Sequence, residues 1–154
     1  MKHSKSGLFL MEMIVCLLFF ALSAAVCAQM FAKSHSISNT AINENHAVIA
    51  VSNLAECYYS EFGDLNSISG KFFDKNSEVI GDDTLRVYYD EAFQPADKSG
   101  ESCPYYSEIH LLDPENATFR EGVISFFSRE EKGGTVTTVP VYSLDVTVNI
   151  PNRK

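Results

Sequence analysis

The sequence lacks the short motifs that mark most small enzymes and metal proteins. It contains no Cys-x-x-Cys pair, no cluster of cysteine with histidine, no glycine-rich phosphate-binding loop and no Gly-x-Ser-x-Gly elbow. Its histidines, at positions 3, 35, 46 and 110, have no obvious partners in the sequence. We therefore expect no catalytic set, no bound metal and no cofactor, and we do not expect an enzyme.

Cysteine is also scarce, with four residues that are widely spaced. Cys16 and Cys27 lie in an apolar run and are expected to act as small hydrophobic residues. Cys57 and Cys103 lie in the polar part of the chain. In an exported domain a disulfide between them would close a long loop and contribute about 3–5 kcal/mol. Because spacing does not show proximity, a Cys57–Cys103 disulfide and two separate thiols are equally open.

Charge is nearly absent from one long stretch near the start of the chain. Between Leu8 and Ala32 the only charged side chain is Glu12. At about 1.5 Å per residue, a helix over residues 8–32 is long enough to cross about 30 Å of hydrocarbon. A carboxylate costs about 2.5–3.5 kcal/mol at mid-membrane and less near the edge. The stretch predicts a transmembrane helix in which Glu12 needs a partner of opposite charge.

The residues around this carboxylate form a pattern. Lys2 and Lys5 precede Gly7, a hydrophobic residue follows, and Glu12 lies five residues after the glycine. The pattern resembles the prepilin signature of type IV pilins and pseudopilins. The resemblance implies that residues 1–7 are a leader, cut by a prepilin peptidase between Gly7 and Leu8. It also implies N-methylation of Leu8 and a role in subunit assembly for Glu12, which would neutralise the amine of a neighbouring subunit. The chain departs from the commonest form in having Leu8 instead of Phe and no proline in its apolar helix.

The function implied by this resemblance is structural. The chain would be a minor pilin or pseudopilin, a subunit of a type IV pilus or of a type II secretion or competence filament. Its partners would be the prepilin peptidase, other pilin-like subunits, an assembly platform protein in the membrane, and membrane lipid. The resemblance does not distinguish among adhesion, motility, secretion and DNA uptake.

Two other interpretations of the amino-terminal segment are open. The first is an ordinary secretory signal peptide, because Val26-Cys27-Ala28 could serve as a small-residue cleavage site before Gln29. The second is a plain single-pass anchor. Either would make the chain a secreted or membrane-anchored binding domain that forms no filament.

The remainder of the chain is acidic. Residues 34–154 contain 19 Asp and Glu against 9 Lys and Arg. A domain with this net charge of −10 is not expected to bind nucleic acid directly. The basic leader and the acidic remainder favour an amino terminus in the cytoplasm and a domain outside the membrane.

Apolar residues continue at helical spacing after Lys33. Ala41, Val48, Ala55 and Phe62 are seven residues apart, and Val51 and Tyr58 fall between them. This stripe predicts an amphipathic helix over residues 33–62 that packs on the sheet of its own domain and ends near Gly63. The polar stretch of residues 34–40 is the expected place for a kink, because its side chains compete for backbone hydrogen bonds.

The pattern changes to that of β-strands in the last part of the chain. Residues 63–83 read as a loop, with Phe72 and Phe73 expected to pack into the domain. Alternation then predicts about four antiparallel strands, over residues 84–90, 107–111, 119–128 and 135–150, with turns at 113–116 and 132–134. Pro140 predicts a bend or an edge position in the last strand. The acidic group Asp82, Asp83, Asp90 and Glu91 is more typical of a solvated turn than of a calcium site.

The predicted fold class is therefore α+β. A long helix, membrane-spanning in its first half, would pack in its second half on the antiparallel sheet of residues 63–154. This order of elements resembles the α/β roll of pilin-like proteins.

Overall fold

The computed structural model describes residues 4–97, 103–113, 118–132 and 135–151, without the side chains of 4–6 and 130–132. The predicted turn residues Pro114, Glu115, Asn116, Gly133 and Gly134 lie outside the described residues. The helices are α1, Ser4–Ser60, and α2, Leu65–Ile68. The strands are β1, Ser77–Ile80; β2, Thr84–Tyr89; β3, Tyr105–Leu111; β4, Phe119–Lys132; and β5, Thr135–Asn149. Contacts divide the chain into two units, Met1–Ile42 and Asn43–Lys154.

Helix α1 ends two residues before the predicted position. The Gly63 N–H donates to the Tyr58 carbonyl oxygen at 2.8 Å, so the chain turns back on its last helical turn. Phe62 and Gly63 both adopt positive φ, at 51° and 72°. Glycine adopts this conformation at no steric cost, which explains why the helix stops here.

The polar stretch of residues 34–40 lies within α1, and the helix assignment is continuous through it. The Thr40 hydroxyl donates to the Ser36 carbonyl oxygen at 3.1 Å, and the Asn39 amide lies 3.3 Å from the His35 ring nitrogen. These side chains bond within the helix, to groups one turn earlier, and the backbone ladder persists.

The unit formed by residues 43–154 contains a five-stranded antiparallel sheet in the order β1-β2-β3-β4-β5. The α+β fold is confirmed, and the four expected strands are present as β2 to β5. The predicted loop 63–83 is wrong in part, because it contains α2, a π-helical turn Ser69–Phe73, a 3₁₀ turn Asp74–Asn76 and β1. The hydrogen bonds of β1 come from its pairing with β2, in which Ser77 lies opposite Val87.

The carboxyl-terminal part of α1 covers one face of this sheet. Its buried residues are Ala47, Val51, Leu54, Ala55 and Tyr58, and they share a core with Leu85, Val87, Ile109, Ile124 and Phe126 of the strands. The predicted stripe is right at Val51, Ala55 and Tyr58 and wrong at Ala41, Val48 and Phe62, which are exposed. Val48 lies about 100° around the helix from the buried Ala47, and Phe62 lies beyond the last helical residue, Ser60.

Aromatic side chains fill the middle of this core. Tyr89 packs against Phe126 with ring centroids 5.6 Å apart, and its hydroxyl lies 3.1 Å from the buried Ser107 hydroxyl. Burial raises the pKa of Tyr89. Phe73 packs against the same core as expected, whereas Phe72 is exposed.

The other face of the sheet carries a smaller cluster of its own. Tyr88, Cys103 and Tyr106 are buried there, with Phe127 stacked on Tyr106 at 4.9 Å. The Arg86 guanidinium lies 4.8 Å from the Tyr106 ring centroid and donates twice to one carboxylate oxygen of Glu108. Cation–π contacts and this ion pair hold the cluster together without a covering helix.

Strand β5 is the long edge of the sheet. The register between β4 and β5 shifts next to Pro140, which lies opposite Phe127, while Tyr142 lies opposite Phe126. Val141, which has no partner in this register, therefore forms a bulge next to Pro140, and Pro140 lies on an edge strand, where a missing N–H is tolerated.

Candidate functional site

The apolar segment of α1 is the first candidate site. Between Gly7 and Ser60 the helix contains a stretch long and apolar enough to cross a membrane, and none of that stretch is buried within the chain. Phe9, Leu17 and Phe31, for example, are all more than 60% exposed. Large apolar side chains exposed over such a length are typical of a helix that could span a membrane.

Gly7 lies at the start of this segment in open surroundings. A Cβ atom added at Gly7 would meet no other atom within 4 Å, and the residue does not have positive φ. Glycine within a helix is less stable than alanine by about 0.5–1 kcal/mol. Among the described atoms, none lies close enough to Gly7 to require a glycine at this position.

Glu12 lies one helical turn after Leu8, on the same side of α1. Its side chain is exposed, and among the described side chains, which exclude that of Lys5, none forms an ion pair with it. A surface concavity brings Glu12 together with Leu8, Met11, Val15 and Cys16. The carboxylate is thus bordered by apolar groups. In an apolar environment, a cation beside it would be attracted strongly, because little water would be present to screen the two charges.

The cysteines fall into separate surroundings. Cys16 and Cys27 are exposed on the apolar segment. Cys57 packs against the core on the helix-covered face of the sheet, whereas Cys103 belongs to the cluster on the other face. Burial, with the nearby Glu56 carboxylate, raises the pKa of the Cys57 thiol and makes it less reactive. The structure does not bring Cys57 and Cys103 into one cluster, and a disulfide between them stays a prediction.

The acidic group divides into two pairs at opposite ends of β2. Asp82 and Asp83 lie in the turn before Thr84, and Asp90 and Glu91 follow Tyr89. The Asp90 carboxylate accepts hydrogen bonds from the backbone N–H groups of Ala92 and Gln94, both at 2.9 Å, and so shapes its own loop. The four side chains cannot bind one calcium ion, because the length of β2 separates the pairs.

The sequence did not indicate a polar group on the sheet face opposite α1, here called the outer face. Pairing of β2 with β3 brings Thr84 beside His110 there. The Thr84 hydroxyl lies 3.0 Å from an Asp83 carboxylate oxygen and 3.1 Å from His110 Nδ1. In a nucleophilic triad the hydroxyl and the carboxylate contact different ring nitrogens. Here both approach Nδ1, on an open surface, so the group stabilises the strand pair and does not form a catalytic set.

His46 has an aromatic partner that the sequence did not indicate. Its ring stacks on Phe93 at 4.1 Å, and Phe93 stacks on Tyr105 at 4.4 Å. Phe93 has positive φ, 57°, in the loop that Asp90 shapes. The loop therefore presents the Phe93 ring to the helix, which makes His46 part of the packing between α1 and the sheet.

Comparison of the chain with protein-family models, with curated proteins and with solved structures gave no match. The function must therefore be inferred from the site itself.

Proposed function

We propose that this chain is a pilin-like structural subunit of a membrane-derived filament, a minor pilin or pseudopilin, cut after Gly7 by a prepilin peptidase. The observation that carries the proposal is the segment Gly7 to Glu12 at the head of an apolar, unburied helix that continues into the core of an antiparallel sheet domain. The open surroundings of Gly7 add support, because close approach of a peptidase favours an accessible residue without a side chain.

The role assigned to Glu12 follows from charge. Cleavage after Gly7 creates a positively charged amine at Leu8, and methylation of that amine would keep its charge. Opposite charges attract strongly in an apolar environment, and an unpaired carboxylate is costly there. Transfer of the helix from lipid to a bundle of similar helices changes its apolar surroundings little, so the Glu12–amine contact can determine subunit alignment.

The proposed location is a single pass through the cytoplasmic membrane with the amino terminus inside, followed by assembly outside it. The basic leader and the acidic domain support this orientation. The partners would be the peptidase, other pilin-like subunits, an assembly platform protein and lipid.

The test is the amino-terminal sequence of the mature full chain, from cells with and without a prepilin peptidase. A start at Leu8 that requires the peptidase is expected. The variant Gly7→Leu should remain uncut, while Gly70→Leu, changed at another glycine with open surroundings, should be cut normally. A start at Gln29 would mean a signal peptide, and an uncut chain would mean a plain anchor.

A secreted or anchored binding domain that forms no filament is the second candidate. The exposed Asp83, Thr84 and His110 group would be a natural place to look for binding, since its polar side chains are already aligned. This candidate would be favoured if the chain is not cut after Gly7 and if His110→Ala abolishes binding of a ligand by the domain.

A further inference from the structure

Strands β4 and β5 extend beyond the rest of the sheet as a two-stranded ribbon, here called the arm, formed by residues Arg129–Lys132 and Thr135–Thr138. The pairing of β3 with β4 ends at Tyr105 and Ser128, followed by a hydrogen bond of 2.7 Å from the Arg129 N–H to the Pro104 carbonyl oxygen, and the described chain shows no third strand beside Glu130–Lys132. An isolated two-stranded ribbon is at best marginally stable in water, and the β5 side chains of the arm are all exposed.

The free edge of the arm has none of the usual protection against pairing. Residues 135–144 carry no charge, although the domain has a net charge of −10. Proteins normally protect an edge strand with charge, proline or a bulge. In β5 the proline and the bulge come only at Pro140 and Val141, which leaves the β-branched stretch Thr135–Val139 uncovered, with Val136 61% exposed.

The opposite edge of the sheet is β1. It is four residues long, close to the length of Thr135–Val139, and among the described residues its only backbone pairing is with β2. All neighbouring strands are antiparallel and there are five of them, so β1 and β5 run in the same direction. A copy placed beside another by translation alone can therefore pair β5 with β1 as parallel strands.

We propose that Thr135–Val139 of one copy adds to β1 of a second copy, and that this head-to-tail contact joins neighbouring subunits outside the membrane. The inference rests on the proposed function for one point, that all copies are anchored in one membrane with the same orientation. Pairing of β5 with itself, antiparallel, would rotate one copy by half a turn about the normal to the sheet. The packed part of α1, which lies along the sheet, would then point in opposite directions in the two copies.

The absence of charge supports a second copy as the occupant. Two domains of net charge −10 repel one another over most of their surfaces. The uncharged edge of β5 is a place where they can meet without like charges facing each other. On β1 the only charged residue is Glu78, and its carboxylate already accepts a hydrogen bond from the Tyr88 hydroxyl.

The register predicts the displacement between the two copies. When the residue pairing is followed from β1 across β2 and β3, β1 lies level with Val123–Phe126 of β4. Thr135–Val139 of β5, by contrast, pairs with Ser128–Lys132 of β4. The midpoints differ by five to six residues of β4, or about 18 Å along the strands. Each added copy is therefore shifted along the strands, and a head-to-tail contact with such a shift continues as an open series and does not close into a ring.

Cysteine cross-linking of the full chain in its membrane tests the contact. Thr138 lies opposite Arg129, whose guanidinium stands over Tyr106, and Ile80 lies opposite Thr84, so both positions are on the outer face. In a chain with Cys16→Ala and Cys27→Ala, co-expression of Thr138→Cys with Ile80→Cys should give disulfide-linked dimers after mild oxidation. The doubly substituted chain should give a ladder of oligomers.

The single variants identify the symmetry of the contact. Neither Thr138→Cys nor Ile80→Cys alone should form dimers above the background of the unsubstituted chain. Dimers with Thr138→Cys alone would mean that β5 pairs with itself and would overturn the proposal. No cross-link in the mixed pair, or cross-linking of Thr138→Cys only to another protein, would also overturn it.

A blocking variant gives a second readout. Val136→Glu places a carboxylate on the edge of the arm, level with Glu78 of the neighbouring β1 when Thr138 lies beside Ile80, and should reduce the cross-linked fraction of the Thr138–Ile80 pair at least fivefold. Leu112→Glu is the matched control, because Leu112 is also 61% exposed but lies away from both edges. The cross-linked fraction is measured only for chains whose amino-terminal residue is Leu8. If such chains fail to cross-link, the edge contact is wrong, whereas chains that start elsewhere show that the proposed function is wrong.

Discussion

The phenolic hydroxyl of Tyr58, near the end of α1, donates a hydrogen bond of 3.1 Å to the backbone carbonyl oxygen of Arg120 on β4. The Arg120 guanidinium in turn donates to the Phe62 carbonyl oxygen at 3.2 Å. Two elements distant in the sequence are thus joined twice at the point where the helix stops.

We predict that Tyr58→Phe destabilises the folded domain by about 0.5–1.5 kcal/mol, because the Arg120 carbonyl loses a hydrogen bond while the buried ring is kept. Urea unfolding of the detergent-solubilised full chain, followed by circular dichroism, measures the change. Tyr59→Phe is the control, since Tyr59 is exposed, and it should change stability by less than about 0.5 kcal/mol. Equal effects of the two substitutions would contradict the assigned role of Tyr58.

Gly63 should be the glycine of the described chain that is least tolerant of alanine. A Cβ there would lie 3.0 Å from Arg120 Cδ and from Tyr58 Cζ, and the residue has positive φ. Gly63→Ala is expected to cost about 1–3 kcal/mol through backbone strain and crowding. Gly81→Ala shares the positive φ but meets its nearest atom at 3.6 Å, so it should cost less in the same unfolding measurement.

The domain should lose stability at alkaline pH through Tyr89. Burial raises the pKa of Tyr89 above its ordinary value near 10, so the unfolded chain releases this proton at lower pH than the folded chain does. The stabilisation is fully present below about pH 10 and is lost as the pH rises through the raised folded-state pKa. The unfolding free energy should therefore fall above pH 10.

The double variant Tyr89→Phe with Ser107→Ala tests the origin of that fall. It removes both hydroxyls of the buried pair, so no polar group is left without a partner. Its unfolding free energy should fall less steeply above pH 10 than that of the parent. An unchanged slope would assign the alkaline effect to other groups, such as Tyr58, whose pKa is also raised by burial.

Under the proposed function, Glu12→Ala should lower filament yield about tenfold or more, the change expected for a loss of ~1.4 kcal/mol per subunit contact. Membrane insertion should be retained, because removal of a charge makes the helix more compatible with lipid. Quantitative immunoblotting of sheared filaments and of the membrane fraction separates the two effects. Ser23→Ala, a control within the same apolar segment, should assemble normally, since its hydroxyl bonds only to its own helix at the Phe19 carbonyl oxygen.

Most of the sheet could be predicted because its residues alternate. Leu144, Val146 and Val148 face the core from β5, as their period of two indicated. Strand β1 could not be predicted in the same way, since four residues between polar turns carry too little alternation, and the strand depends on its pairing with β2. The edge position of Pro140 was predictable, because proline lacks the N–H that an interior strand needs.

The helix was predictable in extent but not in the orientation of its buried face. The core residues Ala47 and Leu54 do not belong to the seven-residue series, which contains the exposed Val48 instead. The Phe93 stack on His46 has no sequence signal, because it depends on a loop conformation with positive φ at a bulky residue. The segment Gly7 to Glu12 was identified from its pattern, and its role is what the proposed experiments test.

The packing of α1 along the sheet also determines how the domain would resist a pulling force. Ala47, Val51, Leu54 and Tyr58 contact the sheet over about three helical turns, and the Tyr58–Arg120 hydrogen bond lies at the far end. A force applied along the helix from its amino-terminal side would load these contacts together, in shear, so that no single contact must break first. A tether built in this way can carry tension while the domain stays folded.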